Sequence, residues 1–223
     1  MNKFLVSMAF AGLAALSVTA QNNIFNNPDN KAYFGIRVGG EITCPGKITA
    51  GSVGLDVYKN GGGIEFGGIY NIPVVANFYV EPGLKLYYNS YSLKDIMIEA
   101  LDPTEIIESA STRKFGMRIP VMAGYHFDFS KDLRVSVFTG PEFEVGFTAK
   151  EHIKGLDASE SYSIYGDDGG MKRFDMLWGF GAGVTYQHLY FGVSGGIGLI
   201  NMLSDSDASF HENRVTFSVG YNF

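Results

Sequence analysis

Residues 213–223 read NRVTFSVGYNF, and this closing stretch decides the fold class. Every second residue in it is bulky and apolar: Val215, Phe217, Val219, Tyr221 and Phe223. The residues between them are polar or small. Because successive side chains of a strand point to opposite faces, this alternation predicts a β-strand that continues to the final residue with one apolar face.

Seven further segments alternate in the same way. They are residues 33–43, 63–72, 78–90, 115–127, 133–147, 175–186 and 189–199. Each is about as long as a tilted strand that crosses a bilayer, which needs ~9–11 residues. The sequence therefore predicts an all-β fold of eight strands.

The links between these strands alternate in length. Those after the second, fourth and sixth strands are short: PVVAN, DFSKD and QH. The others are long: residues 43–63, 90–113, 148–173 and 200–212. Short turns on one side and long loops on the other are typical of an antiparallel, up-and-down transmembrane β-barrel with periplasmic turns and extracellular loops. We expect this barrel to span residues 33–223.

The two faces of the strands differ in charge. One face carries no charged residue, and the other carries one or two charges in most strands. In a small membrane barrel the apolar face meets lipid and the charged face meets the lumen. Aromatic residues gather near both ends of the strands, as the two interfacial girdles of such a barrel require.

The N-terminus has the pattern of a cleavable export signal. Lys3 precedes the apolar run FLVSMAFAGLAALSV, and residues 18–20 at its end read VTA. This pattern predicts a signal peptide over residues 1–20 and a short periplasmic segment over residues 21–32. We expect export to the outer membrane.

Charge and cysteine content exclude two classes of protein. Removing residues 1–20 takes away one lysine and no acid, so the formal net charge changes from −6 to −7. A nucleic-acid-binding protein needs a basic surface, so we expect no nucleic-acid partner. The single cysteine, Cys44, excludes an intramolecular disulfide framework.

The lumen of an eight-stranded barrel is just wide enough for side chains to fill it. Alternation places eleven charged residues on the inward face: Arg37, Glu41, Glu65, Glu81, Lys85, Arg118, Arg134, Glu142, Glu144, Asp175 and Arg214. Mixed signs predict a packed network of ion pairs, because a buried carboxylate needs a cationic partner. The alternative is a narrow path for ions or small solutes.

Four segments resemble a known family. GIRVGGEIT, FYVEPGLKLYYNSY, FGMRIPVMAGYHF and VTFSVGYNF are similar to the PorT-like outer-membrane β-barrel family of Bacteroidetes, which are Gram-negative. The resemblance implies an outer-membrane barrel whose last strand is read by the barrel-insertion machinery. That signal maps to Phe217, Val219, Tyr221 and Phe223. Some members are linked to type IX secretion, and many have no assigned role.

The long loops offer candidates for function. Residues 94–110 predict a short helix broken by Pro103, and its isoleucines need a partner surface. We therefore expect a contact with an envelope protein through residues 92–112. A hydrolase site at the outer rim, using His152 or His211, is an alternative that no spacing specifies.

Calcium is a further option for the loops, through Asp167 and Asp168 of DDGG or Asp205 and Asp207 of DSD, although neither segment matches a full calcium-loop pattern. We expect no metal, no cofactor and no catalytic residue. The sequence thus predicts a non-enzymatic barrel in outer-membrane lipid, with a filled lumen and a structural or partner-binding role.

Overall fold

A computed structural model describes residues 31–101, 107–155, 159–165, 170–204 and 207–223. The predicted signal peptide lies outside these ranges, as do Pro103, Asp167, Asp168 and Asp205. The side chain of Leu101 is likewise not described.

The described chain is almost entirely β-structure. The strands are β1 (Tyr33–Pro45), β2 (Ile48–Ala50), β3 (Val53–Leu55), β4 (Gly61–Val75), β5 (Phe78–Ser92), β6 (Ile107–Asp128), β7 (Leu133–Gly155), β8 (Ser159–Ser163), β9 (Phe174–Tyr186), β10 (Leu189–Gly198), β11 (Ala208–Ser209) and β12 (Glu212–Asn222). One helix, α1 (Asp95–Leu101), follows β5. Among the described residues, no helix is long and apolar enough to cross a membrane.

Eight strands close into a barrel. The order around the ring is β1, β4, β5, β6, β7, β9, β10 and β12, and each strand is antiparallel to its neighbours. The first and last strands close the ring, with Val38 opposite Val219. Closure pairs every edge, which a strand surrounded by lipid requires. The predicted eight-stranded, up-and-down barrel is confirmed.

The side chains are sorted as the alternation predicts. Apolar residues such as Phe66 and Phe217 point outward, with 56% and 58% of their surface exposed. Charged residues such as Glu41 and Arg118 point into the lumen and are buried. The core of this protein is therefore polar, and its apolar surface faces the lipid.

The two ends of the barrel differ as the link lengths predict. Two-residue turns join β4 to β5 and β9 to β10, and each has a residue with positive φ, Ala76 at 49° and Gln187 at 53°. At the other end, β6 and β7 run for 22 and 23 residues, well past the predicted ends at Phe115 and Phe147. Strand β8 adds to this outer extension of β7.

The predicted helix in the second long loop is only partly right. Helix α1 ends at Leu101, and the chain from Ile107 onward pairs with β7 as the start of β6. Strand pairing across a long hairpin outweighs local helix preference there. In the first long loop, β2 pairs with β3 and with β11 from the fourth loop, so a small second sheet ties these two loops together.

Candidate functional site

One arginine occupies the middle of the lumen. Arg118 projects inward from β6, and only 1% of its surface is exposed. Its Nε donates to Glu144 Oε2 at 2.7 Å, and its Nη1 donates to Glu65 Oε2 at 3.1 Å. Nη1 and Nη2 also bond the two carboxylate oxygens of Glu41, and the guanidinium lies 4.1 Å from the ring centroid of Tyr87. One cation thus joins carboxylates from three other strands.

Two further cations extend this cluster. Lys85 Nζ donates to Glu65 Oε1 at 2.6 Å. Arg214 bonds Glu142, and its Nη1 lies 3.9 Å from Glu144 Oε2. Each of these carboxylates therefore has a cation beside it, which offsets the several kcal/mol that burying a charge costs. We call this set the lumen network: Glu41, Glu65, Lys85, Arg118, Glu142, Glu144 and Arg214.

Two of the predicted basic residues lie outside the lumen network, towards the periplasm. Arg37 donates to Asn222 Oδ1 at 2.7 Å, and its guanidinium stacks 3.9 Å from the ring centroid of Tyr190. Arg134 donates to Asp128 Oδ1 at 2.6 Å beside the turn between β6 and β7. Neither arginine therefore contacts a carboxylate of the lumen network.

Two of the predicted acidic residues also stand apart from the network. Glu81 accepts a hydrogen bond from Asn71 Nδ2 at 3.0 Å. Asp175 accepts one from the backbone nitrogen of Met176 at 2.7 Å. Within the described residues, neither carboxylate has a basic side chain within ion-pair distance.

A buried ion pair near the extracellular end was missing from the sequence prediction. Lys114 Nζ donates to Glu212 Oε2 at 2.8 Å, and the hydroxyl of Tyr91 donates to the other oxygen at 2.8 Å. The signal was present, because Lys114 and Glu212 continue the inward alternation of Arg118 and Arg214. The predicted strand limits stopped one residue short of each.

The lumen network leaves little free space. A cavity of about 40 Å³ lies beside Glu81 and Lys85, and another of about 10 Å³ lies beside Arg118 and Asp175. A single water needs ~10–15 Å³, so these cavities have room for isolated waters but not for a hydrated ion. A third cavity, of about 790 Å³, opens at the periplasmic mouth beside Tyr33 and Arg134.

The long loops close the extracellular end. The ring of Tyr58 lies 5.1 Å from that of Tyr91 and 5.5 Å from that of Phe210, measured between centroids. Phe210 and Met202 are each 1% exposed, and Met202 N donates to Phe210 O at 2.8 Å. Burial, together with the nearby carboxylate of Glu151, raises the pKa of Tyr58 to about 12. We call Tyr58, Tyr91, Met202 and Phe210 the outer cap.

The histidines considered for a rim hydrolase are not brought into a triad. His152 Nδ1 lies 2.7 Å from Ser161 Oγ, on the outer extension of β7 and β8. The carbonyl of His211 accepts from Gly46 N at 2.9 Å. No hydrogen bond within the described ranges joins either imidazole to a carboxylate, so the contacts give the hydrolase alternative no support.

The closing strand presents its aromatic residues to lipid. On β12 the exposed fractions are 58% for Phe217, 51% for Val219 and 42% for Tyr221, and Phe223, the residue after the strand, is 64% exposed. Phe223 N donates to Phe34 O at 2.8 Å, and the two rings stack with centroids 6.0 Å apart. The end of the chain is thus fixed to the first strand at the periplasmic interface.

Sequence comparison agrees with this architecture. The profile of a family described as outer membrane protein beta-barrel domain matches residues 10–204. The chain belongs to this family. Family and fold together place the protein in the outer membrane, and this confirms the predicted location. No curated protein matches the chain.

Several solved barrels are similar in structure, at low sequence identity. The attachment invasion locus protein Ail of Yersinia pestis is 14% identical with a TM-score of 0.43, and the match covers 87% of this chain and 100% of Ail. Neisserial surface protein A is 10% identical with a TM-score of 0.45, covering 87% and 100%. OprG from Pseudomonas aeruginosa is 10% identical with a TM-score of 0.45, covering 86% and 96%. No conclusion about function rests on these likenesses.

Proposed function

We propose that the protein is a non-enzymatic, non-conducting outer-membrane barrel whose extracellular loops contact an envelope protein. One observation carries this proposal, the exposed apolar side chains on those loops. Val53, Leu55 and Ile96 have 59%, 52% and 71% of their surface exposed. They lie beyond the barrel, where lipid does not cover them, and exposed apolar residues of this kind favour a protein contact. We call these three residues the apolar platform.

The loops that carry the apolar platform are clamped together. Lys94 Nζ lies 2.6 Å from Asp56 Oδ2, and Lys59 Nζ lies 2.6 Å from Asp95 Oδ1. The backbone nitrogen of Lys94 also donates to Val57 O at 2.9 Å. These bonds join the loop after β3 to the start of α1. A surface held in this way loses less conformational entropy when a partner binds.

The lumen network and the outer cap support the non-conducting part of the proposal. The barrel is filled at its centre by paired charges and covered outside by the aromatic residues of the loops. The barrel is then a rigid support in the lipid. The binding surface lies on the second long loop, residues 92–112, together with the part of the first long loop that carries Val53 and Leu55.

The finer family assignment is part of the same proposal. The segments GIRVGGEIT and FGMRIPVMAGYHF support a PorT-like barrel of a Gram-negative bacterium. The outward aromatic residues of β12 support recognition of the closing strand by the barrel-insertion machinery. Export through a cleavable signal over residues 1–20 belongs to this proposal too.

The test is gentle-detergent purification from the native outer membrane, followed by mass spectrometry of proteins that come along in stoichiometric amount. We expect a partner with the wild-type chain that is lost from Leu55→Ser/Ile96→Ser. Glu99→Ser, an exposed change on the same helix, is the matched control and should keep the partner. A partner that stays bound to the double variant, or a wild-type chain that purifies alone, contradicts the proposal.

A further inference from the structure

The outward face of the barrel carries an unusual pair of charges just outside the extracellular aromatic girdle. Phe115 on β6 and Phe147 on β7 mark that girdle, with 39% and 43% of their surface exposed and ring centroids 5.6 Å apart. Two residues beyond Phe115, on the same face, lies Arg113. It stands directly opposite Lys150 in the pairing of β6 with β7. We call Arg113 and Lys150 the basic pair.

The basic pair has no partner within the described part of the chain. Both side chains are exposed, and neither takes part in a hydrogen bond or an ion pair with another described residue. Like charges directly opposite each other on a sheet are destabilising. No contact among the described residues offsets this repulsion, and an acidic protein with a net charge of −6 has no general excess of surface cations to explain the pair.

The neighbours of the basic pair are hydroxyls rather than carboxylates. Ser90 on β5 is opposite Arg113, and Ser163 on β8 is opposite Lys150. The next carboxylate on the strand, that of Glu151, belongs to the other face, opposite Thr112. The hydroxyl of Ser163 already donates to Tyr165 O at 3.2 Å, so Ser90 supplies the hydroxyl donor. Two cations beside a hydroxyl donor form a surface suited to a phosphate group, which takes charge-assisted hydrogen bonds from such donors.

The height of the basic pair in the membrane favours the phosphate of a lipid headgroup over a free phosphate. Two residues along a strand span about 6.6 Å, so the basic pair stands one short step outside the aromatic girdle. Aromatic girdles sit at the headgroup level, and basic side chains beside them meet the lipid phosphates. The pair also points sideways towards lipid, on the wall of the barrel, rather than upward from a loop.

We propose that Arg113 and Lys150 bind the phosphate of a lipid headgroup in the external leaflet of the outer membrane, with Ser90 as an additional hydrogen-bond donor. The bound lipid would lie against Phe115 and Phe147. The site is separate from the apolar platform and would orient the outer extension of β6 and β7 against the membrane surface.

The chain offers a direct test, because its only tryptophan is Trp178. Phe115→Trp on a Trp178→Phe background places a single tryptophan next to the basic pair. The protein is reconstituted in phosphatidylcholine vesicles, and brominated phosphatidate or brominated phosphatidylcholine is added as a short-range fluorescence quencher. The ratio of the two quenching efficiencies gives the preference at that position for phosphatidate over phosphatidylcholine.

We expect phosphatidate to be preferred on the order of tenfold beside the basic pair, since each basic residue near an anionic membrane surface contributes several-fold. Trp178 of the wild-type chain serves as the reference position. Trp178 faces lipid on β9 between Pro141 and Ile197, with no charge beside it, and should show little preference. Arg113→Ser/Lys150→Ser should abolish the preference, whereas Arg113→Lys/Lys150→Arg should keep it.

Three results would overturn the proposal. The first is an undiminished preference in Arg113→Ser/Lys150→Ser, and the second is an equal preference at the Trp178 position. The third is displacement of phosphatidate by inorganic phosphate at equal concentration, which would make the ligand a free anion. Lys154→Ser is the control for loss of one positive charge, because Lys154 is already paired with Glu108 and should leave the preference unchanged.

Discussion

Arg118→Met tests the lumen network at its centre. Methionine keeps an apolar stem of similar length, and it removes the cation that bonds three carboxylates. Glu65 would keep Lys85 at 2.6 Å, and Glu144 would keep Arg214 at 3.9 Å. These two carboxylates therefore lose only part of their compensation.

Glu41 is the carboxylate that would lose its cation entirely. Its remaining donors are Asn89 Nδ2 at 2.9 Å and the hydroxyl of Thr43 at 3.2 Å, and both are neutral. Removing one partner of a buried ion pair costs about 3–5 kcal/mol, because the other charge stays buried without compensation. We expect Arg118→Met to lower the free energy of unfolding by that amount, and Glu41→Gln in the same chain to restore part of it.

The assay is urea unfolding in lipid vesicles, followed by the fluorescence of Trp178 on the lipid face of β9. The midpoint should fall while the slope with denaturant stays unchanged. Arg134→Met is the matched control, since its ion pair with Asp128 is partly exposed, at 23% and 39%, and such pairs contribute about 0–1 kcal/mol. An Arg118→Met variant as stable as Arg134→Met would show that Glu41 does not depend on Arg118 for compensation of its buried charge.

Three further changes test other parts of the account. Lys114→Met removes the only basic partner that the buried carboxylate of Glu212 has among the described residues. It should lower the free energy of unfolding by about 3–5 kcal/mol in the same urea assay, and a change below about 1 kcal/mol would contradict this. Gly146→Ala places a Cβ against the buried hydroxyl of Tyr165 and should increase proteolysis of the outer loops on intact cells, while Gly40→Ala, with nothing within 4 Å, should not. Phe223→Ser should slow assembly in cells, measured as the folded fraction after a short pulse. It should lower the stability of folded chains only by the lost stacking on Phe34, about 0.5–1.5 kcal/mol. Unchanged assembly would argue against the insertion signal.

The fold could be predicted from the sequence because a membrane barrel imposes two independent regularities. The alternation around Phe217 and Val219 sets which face meets lipid, and the short links after every second strand set which end faces the periplasm. Neither depends on knowing a tertiary contact. Shifting the alternation of β6 by one residue would have placed Arg118 on the lipid face. The assignment of lipid face and lumen face was therefore strongly determined.

The outer part of the structure was less predictable. Beyond Phe147 the chain leaves the bilayer, and every second residue there is polar: Thr148, Lys150, His152 and Lys154. No apolar face therefore marks this part of the strand in the sequence. The extension of β7 to Gly155 and the strand conformation of β6 from Ile107 onward depend on pairing across a hairpin, which local preference does not record.

The partners within the lumen could not be predicted either. Alternation shows that Arg118 and Glu41 point inward, but their contact depends on the stagger of strands that are not neighbours in the ring. Arg134, by contrast, lies directly opposite Asp128 in the pairing of β6 with β7, beside their turn at the periplasmic end. Extending the inward alternation of β6 by one step would have found Lys114, so that omission came from the strand limits and not from missing information.

The lumen network and the outer cap together should close the barrel to ions. Planar-bilayer recording of the purified protein measures this closure. We expect no stepwise current at any holding voltage that the bilayer tolerates, with an inserted porin in the same chamber as the positive control. Reproducible single-channel steps from the wild-type chain would contradict this expectation and would show that ions find a path past Arg118.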